Sequence, residues 1–135
     1  MKHIGLVGCG TIGSRIARKV GEEGLATLDF VCDLDAARAH AAAPRAEVLT
    51  DLALVAGRRV DLVVEAANAE VVRAIALDVL AHCDFLPFTL TALHDDAFRD
   101  AVRERCRESG TRLMVPHGGI LGLDGVFDGR SVIQE

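Results

Sequence analysis

Short runs of apolar residues alternate with amphipathic stretches along this chain. Such alternation is typical of βαβ units and therefore of a parallel sheet. The apolar runs are nearly continuous, as expected for strands that helices cover on both faces. Because βαβ crossovers are right-handed, the pattern predicts an α/β fold, with a doubly wound sheet of six parallel strands and helices on both of its faces.

Turn and cap residues mark the predicted element boundaries. Asp51 and Asn68 precede helical patterns, Gly110 follows the last one, and Pro87 makes the fifth strand irregular or partly unpaired. The predicted strands are 4–7, 28–32, 46–49, 60–64, 84–90 and 111–115, and the main predicted helices are about 12–20, 35–42, 69–80 and 94–109.

Composition narrows the classes of protein. The chain has 135 residues, half of them hydrophobic, with a formal net charge of −5. This length predicts one domain and leaves no room for a two-domain enzyme. The acidic balance gives no reason to expect nucleic acid or a membrane as a partner, and no apolar run reaches the roughly 18 residues of a membrane span. Without a secretion signal or a Cys-x-x-Cys pair, we expect a cytoplasmic protein with reduced thiols and no metal site.

A glycine-rich loop follows the first predicted strand and begins the first helix. It is a G-x-G-x-x-G sequence made of Gly8, Cys9, Gly10, Thr11, Ile12 and Gly13. In the dinucleotide-binding fingerprint the first glycine allows the tight turn, the second lets a pyrophosphate approach, and the third packs the helix on the sheet. The segment therefore predicts a dinucleotide site, with a tight turn that binds no ligand as the alternative. Cys9 is either a small packing residue or an oxidation-sensitive thiol.

Asp33 supplies the second half of the fingerprint, twenty residues after Gly13 and at the end of the second predicted strand. A carboxylate here accepts hydrogen bonds from the adenosine ribose hydroxyls and repels a 2′-phosphate, which favours NAD over NADP. NADP remains an alternative cofactor, since the guanidinium of Arg38 is near enough in sequence to meet a 2′-phosphate. The alternative is that Asp33 is only a helix cap or a solvated turn residue.

Other candidates follow later strands. The segment 65–68 ends the fourth strand, where Ala66 and Ala67 either leave room for a nicotinamide and its ribose or pack a helix closely. His117 follows the last strand, where it either bonds the cofactor or substrate or is simply solvated. No Ser/His/Asp or Cys/His set supports hydrolytic chemistry.

Three blocks together resemble the L-aspartate dehydrogenase family. They are 4–13, 63–67 and 115–125, and the last, Val-Pro-His-Gly-Gly-Ile-Leu-Gly-Leu-Asp-Gly, is the most specific. The resemblance implies NAD(P)-dependent oxidation of L-aspartate to iminoaspartate, which hydrolyses to oxaloacetate or feeds NAD biosynthesis, usually by a homodimer.

The sequence departs from that family at the expected nicotinamide and substrate positions. The family pattern Ser-Val-Gly-Ala-Leu is here Thr-Leu-Thr-Ala-Leu, so Thr91 replaces a glycine, and Ser-Gly-Ala after the last strand is here His117-Gly-Gly. The family's second α+β domain, with a catalytic histidine and most of the substrate pocket, has no counterpart. We therefore divide the chain into a dinucleotide-binding domain at 1–116 and a glycine-rich connector at 117–135, which we expect to be the beginning of the missing catalytic domain.

Three functions remain open at this stage. The leading one is the cofactor-binding part of an aspartate-dehydrogenase-like oxidoreductase, inactive alone and able to take a small amino-acid substrate only with the missing domain. The second is a stand-alone nucleotide-sensing module or subunit. The third is the cofactor domain of a homoserine-dehydrogenase-like or dihydrodipicolinate-reductase-like enzyme.

Overall fold

The structure is a computed structural model that describes residues 1–116. Its strands are β1 (His3–Val7), β2 (Thr27–Cys32), β3 (Glu47–Leu49), β4 (Leu62–Glu65) and β5 (Asp84–Pro87). Its helices are α1 (Thr11–Glu23), α2 (Ala36–Ala42), α3 (Ala69–Leu80) and α4 (Asp96–Ser109), with 3-10 turns at Leu52–Leu54 and Leu90–His94. His117 and the predicted connector lie outside the described residues.

The five strands form one parallel sheet in the order β3-β2-β1-β4-β5. At the carboxyl edge Val7 lies beside both Cys32 and Glu65, and Glu65 lies beside Pro87. Strand order reverses between β1 and β4, and ligands of such sheets bind in the crevice at that point. The predicted doubly wound parallel sheet is therefore confirmed, and its crevice lies at the ends of β1, β2, β4 and β5.

Helices cover both faces of the sheet, as predicted. Neighbouring residues of β1 point to opposite sides, so Leu6 packs with Ala17 and Ala39 of α1 and α2, and Val7 belongs to the core under α3 and α4. The second core is larger and holds Phe30, which is 1% exposed. A Cβ at Gly5 would lie 2.0 Å from Phe30 Cζ, so the glycine makes room for the ring.

The predicted sixth strand is wrong. Within the described residues, 111–115 contribute one isolated bridge, between Leu113 and Phe85. Two backbone bonds form it, from Phe85 N to Arg112 O at 2.9 Å and from Met114 N to Phe85 O at 2.8 Å. The next two bonds of this parallel ladder would need amide hydrogens at Pro87 and Pro116, and proline has none to donate.

Predicted caps place the helices that surround the crevice. Asn68 Oδ1 accepts from Val71 N at 3.0 Å at the start of α3, and Gly110 ends α4 in the left-handed conformation with φ 69°. The last helix begins at Asp96 rather than His94, because residues 90–94 form the 3-10 turn and Asp95 Oδ1 accepts from Phe98 N at 2.7 Å. Among the described residues, none of the helices is long and apolar enough to cross a membrane.

Candidate functional site

The glycine-rich loop occupies the turn from β1 to α1, with two glycines packed inside and one facing outward. A Cβ on Gly13 would lie 1.8 Å from Gly8 O, and a Cβ on Gly8 would lie 2.7 Å from Ala66 O. Gly8 also has φ 90°, which side-chain-bearing residues rarely adopt. A Cβ on Gly10 would meet no atom within 4 Å. The loop is therefore tightly packed below and open above Gly10, where the fingerprint places a pyrophosphate.

The amino terminus of α1 is open to an anion. Gly10 is the N-cap and makes no side-chain cap, and the first turn holds no acidic residue. Thr11 and Ile12 are exposed, with Ile12 54% exposed. A helix amino terminus presents unpaired N–H groups and a partial positive charge, so this end of α1 suits a phosphate group.

Asp33 connects the glycine-rich loop to the end of β2. Its Oδ2 accepts from Cys9 N at 2.8 Å and its Oδ1 accepts from Asp35 N at 2.9 Å. Arg38 adds two more bonds, from its Nε to Oδ2 at 3.3 Å and from a terminal nitrogen to Oδ1 at 2.6 Å. A carboxylate has about four acceptor positions, so these donors fill Asp33. A ribose hydroxyl would have to replace Arg38.

Burial and hydrogen bonding shift the pKa of Asp33, which is 9% exposed, in opposite directions. Burial alone would raise its pKa, but the bonds from Arg38, Asp35 and Cys9 outweigh burial and hold the pKa below its ordinary 3.8. Asp33 is therefore a carboxylate at neutral pH. Arg38 is its counter-ion and stays half-exposed, with 51% of its side chain accessible.

Cys9 is a packing residue. It is fully buried among Leu6, Ala17 and Val31. Burial, then the charge of Asp33, raises the pKa of its thiol to about 11, so the oxidation-sensitive alternative has no thiolate to support it. Its amide is engaged by Asp33, and Cys9 contributes to the predicted site through that bond.

A cleft of about 210 Å³ lies between these groups. Gly8 and Asp33 form one side and Ala67 and Asn68 the other, while Leu34 is 88% exposed at its edge. The cleft therefore brings together the ends of β1, β2 and β4. A larger cleft, of about 640 Å³, lies between His3 and His82 at the opposite, amino-terminal edge and contains none of the predicted site residues.

Glu65 is a site residue to which the sequence assigns no role. It is completely buried at the end of β4. Its Oε1 accepts from Ala67 N at 2.6 Å and from Thr89 Oγ1 at 2.9 Å, and its Oε2 accepts from Thr89 N at 3.2 Å. The available signal is an acidic residue that directly ends an apolar strand. Its partner lies 24 residues further along the chain, and only the sheet order shows the contact.

The remaining predicted residues are less closely associated with this cleft. Ala66 is half-buried next to Gly8, and Thr91 is exposed in the 3-10 turn after β5. His117 is outside the described residues. Among residues 1–116 there is no group of three or more His, Cys, Asp or Glu side chains that could hold a metal ion.

A family model described as "Homoserine dehydrogenase, NAD binding domain" matches residues 8–116. The chain belongs to this family of NAD-binding domains. The match begins at the first glycine of the loop and ends at Pro116, so it includes the glycine-rich loop and both carboxylates, Asp33 and Glu65. The inferred dinucleotide cofactor, NAD, is thereby confirmed at the level of the family.

Curated relatives support the resemblance to L-aspartate dehydrogenases. The L-aspartate dehydrogenase of Nitrosopumilus maritimus is 31% identical over 132 residues, which are 93% of this chain and 48% of the relative. That of Methanosarcina acetivorans is 34% identical over 135 residues, with the same two coverages. The chain thus spans about half the length of these relatives.

Solved structures share the fold. A WlbA dehydrogenase from Bordetella pertussis, in complex with NADH and UDP-GlcNAcA, has a TM-score of 0.77 at 22% identity and covers 96% of this chain and 42% of its own. An aspartate dehydrogenase from Thermotoga maritima has a TM-score of 0.72 at 23% identity, and the match covers 97% of this chain and 52% of the dehydrogenase chain. At these identities the likeness establishes the Rossmann-like fold.

Proposed function

We propose that the chain is the cofactor-binding part of an L-aspartate-dehydrogenase-like oxidoreductase. The bond from Cys9 N to Asp33 Oδ2, at 2.8 Å, is the observation that carries the proposal. It joins the two halves of the dinucleotide fingerprint at the edge where the strand order reverses. A glycine turn without a ligand would need neither an open Gly10 nor a buried carboxylate beside it.

The cleft and the neighbouring start of α1 together fit a dinucleotide in a defined direction. Gly10 and the start of α1, at Thr11 and Ile12, receive the pyrophosphate, and Asp33 receives the adenosine ribose after Arg38 moves aside. Gly8 and Gly13 contribute by packing the turn. When bound, NAD supplies the carbon that accepts or donates hydride, and the protein supplies binding and orientation.

The nicotinamide half falls on the other side of the strand reversal. Ala66 and Ala67 border that side at the end of β4, and we assign the nicotinamide ribose to the space above them. Thr91, in the turn after β5, is the next neighbour in this direction, and His117 completes the proposed set of cofactor contacts.

The whole enzyme's reaction is proposed from its relatives. We infer oxidation of L-aspartate to iminoaspartate by a cytoplasmic homodimer, with 1–116 as the cofactor domain and 117–135 as a connector. Hydride transfer needs substrate held against the nicotinamide, and the matched relatives are about twice as long as this chain. We therefore expect the 135-residue chain to bind NADH and to catalyse no aspartate-dependent reduction of NAD alone.

Titration with NADH tests the binding half of this proposal. The fluorescence of NADH should change saturably as the chain is added, and Asp33→Ala should weaken the binding about tenfold, because it removes the charged acceptor that holds Cys9 N of the glycine-rich loop at 2.8 Å. No saturable signal at millimolar NADH would refute the proposal. Formation of NADH from NAD and L-aspartate by the isolated chain would refute the claim that it is inactive alone.

A homoserine-dehydrogenase-like reaction is the second candidate, because the matching family model carries that description. Both reactions need the same cofactor site, so the described residues bind NAD in either case. Assaying the chain together with the second half of a relative, with L-aspartate and with homoserine, distinguishes the two substrates.

A further inference from the structure

Glu65 is the one fully buried carboxylate among the described residues, and nothing proposed so far uses it. It ends β4, with Val7 of β1 on one side and Pro87 of β5 on the other. It therefore lies at the carboxyl edge, on the β4–β5 side of the strand reversal. Burying a carboxylate is unfavourable unless its oxygens are hydrogen-bonded, so its donors must be supplied by the surrounding loops.

Both neighbouring loops supply those donors. Ala67 N, in the loop before α3, donates to Oε1 at 2.6 Å. Thr89 donates twice, through its amide at 3.2 Å and its hydroxyl at 2.9 Å. The main chain adds a bond from Phe88 N to Glu65 O at 2.9 Å. One side chain thus fixes the loop after β4 and the loop after β5 to each other.

We propose that Glu65 is a positioning residue, which holds the Thr89 loop in place at the nicotinamide half of the cofactor site. This inference rests on the proposed cofactor site, since it assumes that the nicotinamide lies above the ends of β4 and β5. Glu65 is beneath the surface and touches no cofactor. It acts through Thr89, the residue from which the 3-10 turn Leu90–His94 begins.

The adenosine half has its own carboxylate, so different hydrogen bonds hold the two halves. Asp33 fixes the glycine-rich loop on the β2 side, and Glu65 fixes the Thr89 loop on the β5 side. Loss of Glu65 should therefore weaken contacts to the nicotinamide and leave contacts to the adenosine and pyrophosphate unchanged. General destabilisation of the domain would weaken both alike.

The test compares NADH with ADP-ribose, which lacks the nicotinamide, by isothermal titration calorimetry on the full chain. In Glu65→Gln one acceptor oxygen becomes an N–H donor and faces a donor already in place, so we expect NADH to bind about tenfold more weakly and ADP-ribose to bind as in wild type. Glu47→Gln, at an exposed carboxylate of β3 with 53% of its side chain accessible, is the matched control and should change neither.

Thr89 variants keep the proposal testable if Glu65→Gln does not fold. Thr89→Val removes the hydroxyl donor and keeps the shape, and should reproduce the selective loss of NADH affinity, whereas Thr89→Ser keeps the hydroxyl and should restore it. Equal losses for NADH and ADP-ribose, or wild-type NADH affinity in both Glu65→Gln and Thr89→Val, would overturn the inference. If wild type bound neither ligand, the proposed cofactor site itself would fail.

Discussion

Two glycines of the loop should respond in opposite ways to the same substitution. Gly13→Ala places a methyl group 1.8 Å from Gly8 O, and the obstacle is backbone in a tight turn rather than a flexible side chain. Overpacking of this kind costs about 1–3 kcal/mol, and we expect the upper end because neither α1 nor the turn can easily move. For a domain of this size, 3 kcal/mol lowers the melting temperature by roughly 10 °C.

Gly10→Ala places the same methyl group in open space, with φ −67° already suitable for alanine. The free energy of unfolding should change by less than about 1 kcal/mol, because the loss of a favourable N-cap is partly balanced by a less flexible unfolded chain. The methyl group instead stands where the pyrophosphate approaches the backbone. NADH should therefore bind at least about tenfold more weakly.

The assay is urea denaturation and NADH titration of the same three proteins: wild type, Gly13→Ala and Gly10→Ala. The reasoning requires stability to fall in the first variant and affinity to fall in the second with stability retained. Wild-type NADH affinity in Gly10→Ala would refute the assigned pyrophosphate position. Wild-type stability in Gly13→Ala would show that the turn is less tightly packed than the structure indicates.

Three further predictions concern the charged and thiol groups around the cleft. Asp33→Asn should lower the free energy of unfolding at neutral pH. Because the pKa of Asp33 is depressed in the folded state, urea denaturation should show a constant difference in stability between wild type and variant above the ordinary pKa of 3.8, and this difference should shrink as the pH falls further. Arg38→Met should lower the ratio of NADPH to NADH affinity, because it removes the cation beside Asp33 and frees acceptor positions for ribose hydroxyls; a parallel fall in both affinities, measured by calorimetry, would contradict this. Iodoacetamide at pH 8 should modify Cys106 first, because it is the one partly exposed thiol and burial raises the pKa of the other three to about 11. Mass spectrometry of the native chain measures the order of labelling, and early labelling of Cys9, Cys32 or Cys83 would contradict their burial.

Local sequence signals were sufficient for most of the fold. Each buried strand is a short apolar run, and Asn68 and Gly110 mark helix ends by properties of their own side chains or backbone. The glycine-rich loop is predictable for the same reason, since Gly8 is required by its own positive φ and Gly13 by its close approach to Gly8 O within the same turn. The apolar run 111–115 is compatible with a strand, but it does not show that the neighbouring strand has amide donors to pair with it, and β5 ends in a proline.

The charged groups of the site depended on contacts that the sequence does not show. The sequence predicts free acceptor positions on Asp33 and offers Arg38 only as a partner for a phosphate. In the structure Arg38 lies in the first turn of α2, and its guanidinium fills those acceptor positions itself. Glu65 meets Thr89 only because β4 and β5 are neighbours, a fact fixed by strand order and not by any local pattern.

These two carboxylates imply that the two ends of a dinucleotide meet different kinds of surface. At Asp33, binding is an exchange in which ribose hydroxyls replace a guanidinium already in place, so little net free energy is gained from that carboxylate. At the start of α1 no side chain of the described residues competes for the anion, so the pyrophosphate gains the helix terminus outright. Affinity for the cofactor should therefore depend more on the pyrophosphate at Gly10 than on the ribose at Asp33. The exchange between the ribose and Arg38 instead determines whether a ribose with or without a 2′-phosphate is accepted.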